Sequence, residues 1–141
     1  MGYAVQADLE TRFTTAEIVQ LTDVADPPTG LIDAAKVAAA LAAADALIDA
    51  YVGVKYALPL AEVPAVLTDK AADIARFELY GHGATAEVKA RYDDAVAFLR
   101  DLSLGKAKLK LADGAEAATP AGTIAHDGPE RTFGRTRTEG F

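Results

Sequence analysis

Between Asp33 and Tyr56 the sequence contains no proline and a single glycine, Gly53, and ten of the positions from 34 to 50 are alanine. Such a segment has few alternatives to a helix. Alanine gives up no side-chain entropy on becoming helical and brings no polar group that competes for the backbone. Val37, Leu41, Ala44, Ile48, Tyr51 and Lys55 recur at four-three spacing and fall on one face, with Leu47 widening the stripe beside Ile48. Asp33 is placed to cap the start. Ala57-Leu58-Pro59-Leu60 ends the run, because the residue before a proline is pushed out of the helical region. A helix this poor in bulk lets a neighbour's backbone come near, so the chain is expected to have a thin, closely approached core.

The flanking segments obey the same period. Gln6 to Phe13 carries Leu9 and Phe13 four apart. Thr14-Thr15-Ala16-Glu17 matches a capping box, with the Thr14 hydroxyl and the Glu17 carboxylate each satisfying an open backbone donor. Ile18 with Leu21 or Thr22 gives the short helix that follows one apolar side, and Asp26-Pro27-Pro28-Thr29-Gly30 makes a turn. Pro64 opens another helix, marked by Val66, Leu67, Ala71, Ile74, Phe77 or Glu78, and Tyr80 up to Gly81-His82-Gly83. Thr85 caps the last one, from Ala86 to Leu102, with Val88, Tyr92, Ala95, Leu99 and Leu102 inward. The fold class is all-α, a small bundle of four to five helices.

After Gly105 the period changes. In Lys106-Ala107-Lys108-Leu109-Lys110-Leu111 the lysines alternate with apolar residues, which is a short strand signal with a lysine-lined edge. Beyond Ala112 the pattern dissolves. The expected organisation is a helical bundle over 1–105, a strand-like extension over 106–111, and a flexible C-terminal arm over 112–141 that orders on assembly. The ending, Glu-Arg-Thr-Phe-Gly-Arg-Thr-Arg-Thr-Glu-Gly-Phe, sets Phe133 and Phe141 among Arg131, Arg135 and Arg137. Aromatic and arginine anchors on an otherwise unpatterned segment suit ordering on a partner. Lys106, Lys108, Leu109, Lys110 and Leu111 are further interface candidates, able to add an edge to a neighbour's strand.

The inventory for chemistry is short. There is no cysteine, which removes disulfides, thiolate nucleophiles and cysteine zinc sites. His82 and His126 are the only histidines, and neither has further ligands at metal spacing. Asp45/Asp49 and Asp69/Asp73 are i, i+4 carboxylate pairs, but no helix supplies the histidines that a di-metal bundle site adds to its glutamates. Asp73 and Arg76 flank the inward Ile74, and capping or an interhelix ion pair is the expected use. Gly-His-Gly lacks the strand and helix of a phosphate loop. No catalytic, cofactor or metal site is therefore expected, and the chain is read as a non-enzyme. The formal net charge is −7, which disfavours non-specific grip on nucleic acid. The start of the sequence lacks a signal peptide's basic and apolar regions, and no stretch is apolar enough to span a membrane.

Certain pieces carry a resemblance. Ala7-Asp8-Leu9 with Arg12-Phe13, Leu21-Thr22-Asp23, Ile32-Asp33, Ile48-Asp49-x-Tyr51 and Tyr56-x-Leu58-Pro59-Leu60 occur in an order that resembles the Mu-like phage Gp36 family. Val63-Pro64, Asp73-Ile74-Ala75-Arg76 with Leu79-Tyr80, Tyr92-x-x-Ala95, Phe98-Leu99 and Gly105-Lys106 continue it nearly end to end, and so does the Arg-rich tail ending in Gly-Phe. The tail departs from the family pattern at Gly134, where a polar residue is expected. The resemblance implies a head–tail connector (adaptor) subunit of a tailed phage or prophage. Such subunits form a homo-oligomeric ring, commonly twelve-fold, in contact with the portal protein above and tail-completion or stopper proteins below. Genomic DNA would pass through the ring without specific binding. It further implies residence in the virion, with the host bacterial cytoplasm as the place of assembly. The alternative class is a small helical protein- or DNA-binding module without a virion role. Lys55, Lys89, Arg91 and Arg100 are too scattered along the sequence to favour it.

Overall fold

A computed structural model describes residues 2–110 and 117–119. Five helices follow in order: α1 (Gln6–Phe13), α2 (Thr15–Thr22), α3 (Ala34–Val52), α4 (Ala65–Tyr80) and α5 (Ala86–Ser103), with a 3-10 turn at Gly81–Gly83 between the last two. The protein is all-α, as its sequence periods require.

The caps set the boundaries. The Asp33 carboxylate accepts from the N–H groups of Ala35 and Lys36, and the Thr85 hydroxyl accepts from Val88 N–H. Between α1 and α2 the capping box forms only by half. The Thr14 hydroxyl accepts from Glu17 N–H at 3.4 Å. The Thr14 N–H, which the Glu17 carboxylate would have served, is already bonded to Glu10 O at 3.1 Å as α1 ends. Glu17 is thereby released to accept from Arg76 at 2.7 Å and from the Tyr80 hydroxyl at 3.1 Å, tying α2 to α4. The Arg76 guanidinium also lies over the Phe13 ring, 4.5 Å from its centroid.

α3 stops at Val52, four residues before the expected end at Tyr56. Leu58 folds back on Gly53, where a Cβ would stand 3.2 Å from Leu58 Cδ1. The N–H groups of Lys55 and Tyr56 both turn to Val52 O. Lys55 consequently leaves the helical stripe and is exposed, while Tyr56 is buried at 7% exposure.

The core is thin in the expected way. α3 and α4 make the most extensive helix–helix contact, and both bring buried alanines: Ala40 and Ala44 from one, Ala71, Ala72 and Ala75 from the other. Bulk is supplied around them by Leu9, Ile18, Ile48, Leu67, Ile74, Leu99 and Leu102, all fully buried. Each such side chain contributes about 1.5–3 kcal/mol relative to exposure. α4 runs back along α3, so that Glu78 and Leu79 near its end lie beside Lys36 and Ala39 near the start of α3. α5 reverses again, with the Tyr92 ring stacked on Phe77 and Phe98 beneath Lys70. The C-terminal ends of α3 and α5 therefore share one end of the bundle.

α1 is held by charge as well as packing. Arg12 pairs with Asp69 at 2.5 Å and reaches the buried Asp73 at 3.4 Å. Arg91 of α5 approaches the other oxygen of Asp73 at 3.7 Å. Of the two uses expected at Asp73, capping or an interhelix ion pair, the second is present, with Arg12 and Arg91 as partners.

Candidate interaction surface

The segment after α5 is placed by backbone chemistry. Gly105 turns the chain at φ +73°, a conformation that glycine adopts without cost. The N–H groups of Lys106 and Ala107 then both donate to Asp101 O. The alternation read from the sequence holds up to Lys110: Ala107 and Leu109 face inward, and Lys106, Lys108 and Lys110 are exposed. Among the described residues the segment forms no regular strand beyond a single bridge at Lys110. Leu109 N–H donates to the Tyr56 hydroxyl at 3.0 Å, and Leu109 O accepts from Ala117 N–H at 3.2 Å. Ala118 O in turn accepts from Ala57 N–H at 3.0 Å. Alternation reports which side is buried, whereas a strand needs a second extended segment beside it; here a side-chain hydroxyl and a short returning stretch take that place.

These contacts sort the interface candidates. Leu109 is 1% exposed and belongs to the core of its own chain, with both backbone groups bonded within it. Lys106, Lys108 and Lys110 remain on the surface, Lys106 lying 3.9 Å from Asp101. Leu111, Arg131, Phe133, Arg135, Arg137 and Phe141 lie outside the described residues. Ala117 is buried at 6% exposure. Ala117 is packed against the bundle beside Leu109, whose carbonyl it bonds.

Two surfaces were not legible as such in the sequence. First, every exposed position of α3 is alanine: 34, 35, 38, 39, 42, 43, 46 and 50. Its charged side chains are turned to their own fold, Lys36 donating to Thr22 O and Asp45 accepting Tyr3 N–H. The Asp49 carboxylate takes the Tyr3 hydroxyl at 2.5 Å; burial first, and then this carboxylate, push the phenol well above its ordinary range. The outer face of α5 is an ordinary solvated one by contrast, carrying Glu87, Lys89, Arg91, Asp93, Asp94 and Arg100.

Second, large apolar side chains stand exposed near the two ends of α3. Val24 (75%) and Leu31 (70%) project from the α2–α3 connection. Val54 (61%), Leu58 (39%) and Leu104 (59%) surround the other end. The signal for the first pair is an apolar residue on each side of the Asp-Pro-Pro-Thr-Gly turn, which the sequence reading treated only as a breaker.

Among the described residues no group of His, Asp and Glu is spaced to hold a metal ion. His82 is exposed in the 3-10 turn. No helix among the described residues is long and apolar enough to cross a membrane.

The family model described as Bacteriophage Mu, Gp36 matches residues 3–126. The chain is 33% identical over 139 residues to the Mu-like prophage FluMu protein gp36 of Haemophilus influenzae, covering 99% of this chain and 97% of that one. It is 36% identical over 108 residues to Gene product J of Escherichia phage Mu, covering 75% of this chain and 74% of the relative.

Proposed function

The chain belongs to the bacteriophage Mu Gp36 family, and on that premise we propose that it is a structural adaptor subunit at the head–tail junction of a tailed phage or prophage. Copies join in a ring, with the portal protein on one side and tail-completion or stopper proteins on the other. The ring resides in the virion and assembles in the bacterial cytoplasm. Genomic DNA passes through it without specific binding, in keeping with the formal net charge of −7. The work is positional: to present surfaces to neighbours at a fixed spacing.

One observation carries the reading beyond family membership. The chain after α5 is fastened to the bundle by the Tyr56–Leu109, Leu109–Ala117 and Ala57–Ala118 hydrogen bonds. The described chain therefore reaches Thr119 from a fixed root, and Phe133, Phe141 and three arginines follow it in the sequence. From Thr119 to Phe141 there are 22 further residues (141 − 119). Fully extended they would span about 75 Å, well beyond the length of a bundle helix. An arm of that reach suits contact with a second subunit or with the portal.

The test is a mass measurement in solution on the full chain and on a chain ending at Thr119, each alone and mixed with the portal protein of the same genome. Ring-sized complexes that need residues 120–141 are the expected result. Monomers in every mixture, whatever the length of the chain, would sink the adaptor reading.

A further inference from the structure

The two ends of α3 carry opposite charge as well as exposed apolar side chains. At its start lie Asp23 and Asp33, with the exposed Asp26 in the same connection, Glu78 of α4 close by and Lys36 beside them. Val24 and Leu31 stand out of this acidic ground, beside a hollow of about 360 Å³ lined by Thr22, Asp23, Thr29 and Lys36. At the other end Lys55, Lys106, Lys108 and Lys110 are exposed; among the described residues Asp101 lies near Lys106 and Glu62 near Lys110. The Lys55 ammonium lies beside Gly105, its Nζ 3.9 Å from where a Cβ would stand. Val54, Leu58 and Leu104 supply the apolar ground there. A helix of 19 residues separates the two ends by about 28 Å.

We propose that these ends bind each other between copies: the acidic, apolar start of α3 in one subunit receives the basic, apolar end of α3 and α5 in the next. The occupant of each surface is a second copy of this chain. Three features support that choice. The charges are complementary, which favours the head-to-tail pairing and opposes either end meeting its like. Each end has exposed branched side chains of the kind that a partner must bury, and the acidic end also has a hollow to receive one. The two surfaces differ, so the contact is heterologous, the kind that propagates into a ring or a filament rather than stopping at a two-fold dimer. Closure into a ring rests on the adaptor reading above; the pairwise contact does not.

The experiment is sedimentation of the full-length chain over a range of concentrations, with Asp26→Lys, Lys55→Glu, the double variant, and Leu31→Asp. All these positions are outside helices, and circular dichroism checks that each variant folds. The native chain is expected to associate in a concentration-dependent way. Each single charge reversal should raise the concentration of half-association about fivefold, as partly exposed ion pairs do. Leu31→Asp should raise it at least about tenfold, since it places a charge in the apolar contact. The double variant should return towards the native value, because reversing both ends restores complementarity; a merely structural role for either residue would make the losses add. A chain that stays monomeric up to about 1 mM, the limit of a very weak contact, overturns the proposal. So does a double variant that is worse than both singles. Capture by the portal protein without self-association would keep the adaptor role and remove this contact. Head-to-tail association without portal capture would keep this contact and remove that role.

Discussion

The Tyr56 hydroxyl and the Leu109 backbone meet across 53 residues of sequence, the oxygen accepting the N–H at 3.0 Å inside the packed domain. A buried donor that loses its acceptor bears the whole cost of its desolvation. Tyr56→Phe removes only the oxygen, so the expected loss is about 1–3 kcal/mol, read as a lower urea midpoint with an unchanged slope. Hydrogen exchange at Leu109 should accelerate more than exchange in α3 and α4. An unaltered midpoint would mean that this bond does not hold the segment.

Arg12 and Arg91 both address Asp73, but unequally. Arg12 is the nearer and also binds Asp69, whereas Arg91 stands 3.7 Å away and is 45% exposed. The Oδ1 atom of Asp73 facing Arg91 has no hydrogen bond among the described residues. Removing Arg12 would leave a carboxylate that is 4% exposed with little compensation. Arg12→Ala should therefore cost about 2–4 kcal/mol, and Arg91→Ala less than about 1 kcal/mol. Thermal melts of the two variants decide the order, and equal losses would contradict it.

Thr14 combines a useful side chain with an unfavourable backbone. Its hydroxyl caps α2, yet it sits at φ 78°, ψ 140°, a region that side chains other than glycine's avoid. Thr14→Ala loses the cap and keeps the strain, an expected loss of about 1 kcal/mol. Thr14→Gly loses the same hydroxyl but relieves strain of about 1–3 kcal/mol. The glycine variant should melt at or above the native temperature and clearly above the alanine variant. The reverse order would show that the cap outweighs the backbone.

Asp23 predicts a pH dependence. Gly30 N–H donates to its carboxylate at 2.6 Å, and this bond above all holds the group below the ordinary carboxylate range, with Thr29 and Ala25 assisting. A folded-state value below the unfolded one adds stability that is fully present above the unfolded value. That stability disappears as pH falls through the folded value. Urea midpoints at about pH 7 and about pH 3 should therefore fall further for the native chain than for Asp23→Asn. Equal falls would remove Asp23 from the acid response.

The helices were legible because their signals are local. Asp33 and Thr85 cap where their positions indicate, and the inward residues of α5 follow the apolar period. Errors arose where a distant group competed for a local one. Glu17 looked like half of a capping box, but Glu10 O had already taken the Thr14 N–H, and Arg76, 59 residues away, took the carboxylate. Lys55 looked helical until Leu58 closed on Gly53. The alternation from Lys106 to Lys110 gave the buried side correctly, but it could not name Tyr56 as what the backbone would bind. Nor could periodicity reveal that α3 keeps an uncharged outer face. The pattern shows Lys36, Asp45 and Asp49 on the helix; only the fold shows that Thr22 and Tyr3 engage them.

The bond between Ala57 N–H and Ala118 O also fixes how the domain takes a load. Tension applied beyond Thr119 meets first the bond that ties Ala118 to the connection between α3 and α4. To free Ala117 and Ala118 from the bundle, a pull has to break this bond and the Leu109–Ala117 bond. The root thus acts as a strain relief, like the clamp on a cable.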